Sequence, residues 1–191
     1  MSCPITGENY CKCMIDHSDL SLTEIDLKST IRKLFTDHAV YTSFVLKSIV
    51  DHHDADTKVL LPRLLQNQKD IGDQLKPFIG SSKGNKLTKV LTEHIQLAGA
   101  VIKDATYNNP QLEQDKKKLF KNSDDVAMVL TSFNPDMLPY EDTQMMFKIH
   151  NEFVIDQTLA RLSKDYQQEQ KLYDAYYNEI LLMSDLIADA L

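Results

Sequence analysis

The chain has 191 residues, 42% of them apolar, with no Trp, five Gly, six Pro and a net charge of −7. That length buries a substantial core in one domain, and few breakers among abundant Leu, Lys, Gln, Asp and Glu predict mostly helix. The acidic balance excludes a basic, phosphate-tracking surface and so nucleic acid as a partner. No apolar run approaches the ~20 residues of a membrane span, and no signal pattern opens the chain, so a cytoplasmic protein off the membrane is expected.

Residues 1–20 read as an irregular leader, and 21–191 as a single helical domain. All three cysteines, Cys3, Cys11 and Cys13, fall in the leader, so the domain itself has no disulfide. With His17 they form a Cys3His set whose spacing matches no common zinc finger, and reactive thiols on a leader are the simpler reading. Ser21-Leu22-Thr23-Glu24 has the form of a capping box. It opens a helix that runs to about Val50, with Ile31, Leu34, Phe35, His38, Tyr41 and Val45 on one stripe. Asp51 to Asp56 is a polar turn.

A second helix is predicted from Asp56 to Pro77, with Pro62 tolerable only near its start. Gly80 to Gly84 forms the next break. The third helix turns Leu87, Val90, Leu91 and His94 inward and stops near Asn108-Asn109-Pro110. Residues 110–138 read as a crossover of two short helical stretches separated by Asn122. A fifth helix takes Tyr140 to Asp165, and a sixth runs from Gln167 to the end. No fixed-period repeat is evident. The predicted architecture is all-α: an antiparallel four- to five-helix bundle with a short helical crossover.

Chemistry concentrates on four inward positions. His38, His94 and His150 each lie on the apolar stripe of a different helix, and Glu179 lies on that of the last, between Tyr176 and Met183. Counting outward from the turns at ~1.5 Å per residue places His38, Gln68 and His94 within ~3 Å of one height, and His150 level with Glu179. A buried carboxylate without a partner costs several kcal/mol, so Glu179 needs a cation, a donor or a proton. Three imidazoles and a carboxylate suit a transition metal such as Zn, Fe or Mn, with Gln68 or Asn67 behind them as donors that fix the rings. The Glu-x-x-His signature of di-iron bundles is absent. The same residues also fit a buried polar network that sets helix register without a ligand.

Other features carry less. His52-His53 reads as a solvated turn. Gly80-Ser81-Ser82-Lys83-Gly84 lacks the strand and spacing of a phosphate loop. Met145-Met146 reads as core packing.

Four stretches carry a resemblance: Leu34-Phe35-Thr36-Asp37-His38, Leu64 to Gly72, Leu91-Thr92-Glu93-His94-Ile95, and Ala160 to Asp165. Together they resemble a family of small helical bacterial proteins without established activity, some carrying a glycosyltransferase label. The resemblance implies a bundle and a His at position 150, and it implies a further His where this chain has Glu179. It supplies no reaction, and no nucleotide-binding α/β pattern accompanies it. Three readings follow from the sequence: a metal-binding bundle of unassigned activity, a structural or interaction protein with a polar core layer, and a metal-dependent oxygen-handling or redox enzyme. Exposed aromatics around Tyr173, Tyr176 and Tyr177 leave room for a homodimer.

Overall fold

The computed structural model describes residues 24–191. The leader with its cysteines and His17, and the Ser21 cap, lie outside the described residues. Six helices follow one another: α1 (Glu24–Val50), α2 (Asp54–Ile79), α3 (Ser81–Thr106), α4 (Leu112–Thr131), α5 (Tyr140–Leu162) and α6 (Tyr166–Asp189). None of these is long and apolar enough to cross a membrane.

Three boundaries differ from the sequence reading. α2 runs through both Pro62 and Pro77 to Ile79. The break after it is one residue, Gly80, whose φ of 82° places it in the left-handed region. Gly84 belongs to α3 instead, where a Cβ would stand 3.0 Å from the Gly72 carbonyl and closer still to Lys76. Gly72 and Gly84 thus serve the close approach of two helices, not a loop. The expected crossover is also replaced: residues 112–131 form one continuous helix, and Asn122, read as a separator, is buried inside it.

The packing order explains the core. Each helix packs on its neighbours in sequence, and α6 packs back on α1. α1, α3 and α5 also touch one another, whereas α2, α4 and α6 do not share such central contacts. The molecule therefore has an inner triangle of odd-numbered helices and an outer set of even-numbered ones, each outer helix covering two inner ones. Leu46, Leu75, Leu87, Leu130, Ile180 and Met183 are among the side chains sealed between them.

A fixed repeat does exist, contrary to the sequence reading. α1, α3 and α5 end at Val50, Thr106 and Leu162, at 56-residue intervals. Each is followed two residues later by a non-glycine residue with positive φ: His52 (59°), Asn108 (51°) and Lys164 (63°). One residue further on, a backbone N–H reaches back into the helix: His53 to Ser48, Asn109 to Asp104 and Asp165 to Ala160. This is the same Schellman closure three times, satisfying carbonyls that the helix end leaves free. The chain is built of three similar helix pairs.

Candidate functional site

The histidines obey the same interval. His38 on α1, His94 on α3 and His150 on α5 are each separated by 56 residues, and all three are buried. The inner triangle brings them together. The His150 ring lies 5.7 Å from that of His38 and 5.9 Å from that of His94, centroid to centroid. Tyr176, expected among exposed aromatics, is instead fully buried and packs on His150 at 5.1 Å, and Phe147 closes on both His94 and His150. Burial pushes the Tyr176 phenol far above its ordinary pKa, so it stays protonated.

Each ring is held from outside by the next helix in the chain. Gln68 Nε2 on α2 lies 3.1 Å from His38 Nδ1, Asn122 Oδ1 on α4 lies 2.8 Å from His94 Nδ1, and Glu179 Oε2 on α6 lies 3.2 Å from His150 Nδ1. The side chains that hold the rings are themselves fixed. Asn122 donates from Nδ2 to Val90 O, so its oxygen must face His94 and accept the Nδ1 proton. Asn67 donates to Leu34 O, the corresponding carbonyl one turn before His38. Gln68 Nε2 also faces Leu64 O and Asn67 Oδ1. An amide nitrogen donates and does not accept, so His38 Nδ1 faces Gln68 as an acceptor, sharing its two hydrogens with Leu64 O and Asn67 Oδ1, and the His38 proton sits on Nε2. His94 carries its proton on Nδ1 and keeps a lone pair on Nε2, and His150 Nδ1 faces a carboxylate, which only accepts.

The four residues expected to share one layer thus divide. The three imidazoles line an interior cavity with Gln68, Phe35, Leu91, Phe147 and Met183, all of them buried. The space open to a water centre is about 20 Å³, room for one or two waters. Glu179 does not line it. It stands behind His150, its Oε1 is buried without a hydrogen-bond partner, and its other neighbours form a groove on the far side, between α5 and α6. Asn67 is buried next to Gln68 and reaches no ring.

Electrostatics hold His38 and His94 neutral. Burial, then the neighbouring imidazoles of His150 and His94, depress the His38 pKa well below its usual value. Burial and His150 take His94 down to about 4, against the opposing effect of the hydrogen bond it donates to Asn122. Neutral imidazole is the metal-ligating form. Among the described residues, however, no group of three or more His, Cys, Asp or Glu is placed so that it could hold a metal ion as it stands.

Asn122 is the ring-holding residue that sequence reasoning missed. The signal was spacing: Gln68, Asn122 and Glu179 follow their histidines by 30, 28 and 29 residues. Phe35, Leu91 and Phe147, each three residues before a histidine, repeat the interval in the cavity wall. No protein-family model, curated protein or solved structure matches this chain.

Proposed function

We propose that the protein is a bundle of three antiparallel helix pairs that binds a transition metal through His38, His94 and His150, with Glu179, Asn122 and Gln68 orienting the rings. The observation that carries this is the common arrangement of the three imidazoles. Each has Nδ1 engaged by a different outer helix, among the described residues none has a hydrogen bond at Nε2, and all three border one interior cavity. Imidazoles bound to one tetrahedral ion through N at ~2.0–2.1 Å stand about 5 Å apart between ring centres, and the separations of 5.7 and 5.9 Å are somewhat wider, so the rings would draw together to share an ion. A hydrogen-bonded outer partner on the second ring nitrogen is the usual company of a ligating histidine. Membership of the small helical bacterial family that the sequence resembles belongs to the same proposal.

The specific obstacle is His38. Its Nε2 carries the proton, so coordination there requires that proton to move to Nδ1 and the Gln68 amide to turn its oxygen toward the ring. This mismatch favours a second reading, in which the layer fixes helix register and the cavity holds water. Elemental analysis of the purified protein separates the two. Metal at one equivalent, lost in His38→Ala, His94→Ala and His150→Ala, supports the site. Metal-free protein whose melting ignores chelators supports the register layer, because an ion bound only by the folded state would raise stability.

A further inference from the structure

The side of Glu179 away from the histidines opens a second site. α5 and α6 leave a groove of about 380 Å³ between them, walled by Met137, Met145, Met146, Ile149, Leu182 and Leu186. Four of these are exposed, Met137 47%, Met145 55%, Ile149 40% and Leu182 60%, so Met145 is not the core residue that the sequence reading made it. Apolar residues scattered singly need no explanation, but a contiguous patch marks an interaction surface. Methionine adds unbranched, polarizable side chains that adapt to a partner's shape. The charged residues lining the groove are Asp142 and Glu179, both acidic, and no Lys or Arg lines it.

We propose that this groove docks a basic amphipathic helix of a partner protein, with its apolar face on the methionines and a Lys or Arg toward the exposed Asp142. Charge selects this occupant. A second copy of the chain would bring a second Asp142 to the interface on a protein of net charge −7, and like charges facing each other across an interface are repelled. An apolar helix face with anchors at three- and four-residue spacing matches a groove running between two helices. Glu179 belongs to both sites, since its Oε2 holds His150 while its side chain lines the groove. A docked helix therefore packs against the residue that holds His150.

The test uses the full-length protein and two synthetic helical peptides of about 14 residues, patterned with Leu on one face and either Lys or Glu on the other. Methionine methyl NMR reports on Met137, Met145 and Met146. The proposal expects the Lys peptide to shift these methyls and the Glu peptide to leave them unmoved. Leu182→Ser and Asp142→Asn, both at exposed positions, should each weaken the Lys peptide by about fivefold or more. It is overturned if both peptides bind alike, if neither moves the methyls, or if the variants bind as the parent does. It is also overturned if the same methyls shift with protein concentration alone, which assigns the groove to a second copy. Peptide binding that appears only after deletion of residues 1–22 assigns it to the chain's own N-terminal segment.

Discussion

The first two helix pairs and the third solve one problem with different chemistry. His38 and His94 are held by the amides of Gln68 and Asn122, and each amide also bonds to backbone, at Leu64 O and Val90 O. His150 is held by a carboxylate whose second oxygen is buried and unpartnered. An amide that loses its histidine keeps other bonds; Glu179 would keep none. Equivalent positions in a repeated architecture thus differ in how much they depend on the ring they hold.

The sharpest way to break this comparison is to delete the rings one at a time. His150→Leu should cost about 3 kcal/mol in urea denaturation, because it leaves the partly buried Glu179 carboxylate without its hydrogen bond. His38→Leu should cost closer to 1 kcal/mol, the worth of one net hydrogen bond, and the double variant His150→Leu/Glu179→Leu should recover more than half of the larger loss. Equal costs for the two single variants would show that the third pair is no different.

Acid tests the amide-held side. His94 has a folded pKa of about 4 against 6.5 for an unperturbed ring, so between these values the unfolded chain holds more protons. Stability is then full above about pH 6.5 and falls as pH drops toward 4, by on the order of 3 kcal/mol from this residue; His38 shifts in the same direction. Asn122→Asp makes the second pair resemble the third. It should raise the His94 pKa, read by NMR titration of the ring protons, and flatten the acid limb of the denaturation profile.

Gln68→Glu converts the first pair in the same sense. A carboxylate can only accept, so His38 must carry its proton on Nδ1 and present a lone pair to the cavity. Metal affinity measured by competitive chelator titration should rise about tenfold; a fall would count against coordination at His38. The smallest effect lies at the turns. His52→Gly and Lys164→Gly relieve a left-handed backbone position and should each add about 1 kcal/mol in thermal denaturation, with Asn108→Gly adding less because Asn tolerates that region.

Much of this was legible from residue pattern. The inward stripes placed His38, His94 and His150 on three separate helices, and the ends of α1 and α5 fell close to where turn residues put them. Gly84 misled because glycine marks loops and close helix contacts alike, and only the neighbouring Gly72 carbonyl tells them apart. Pro77 misled because a proline in the last turn need not end a helix whose final residues reach past it. Asn122 looked like a breaker because its polarity is explained by His94, a residue 28 positions away. The threefold period escaped notice because few side-chain identities repeat. What recurs is a histidine, an apolar residue three before it and a left-handed residue fourteen after it, while the intervening faces diverge.

The 56-residue interval turns helix length into a ruler. One residue inserted into α3 ahead of His94 rotates everything beyond it by about 100° and shifts it about 1.5 Å along the axis, enough to swing that imidazole away from its two counterparts. The same insertion between Ser132 and Pro139, where no helix must keep its phase, leaves the rings where they are. Natural length variation in relatives of this chain should therefore gather in that connector and spare the spans from each histidine to the turn that follows it.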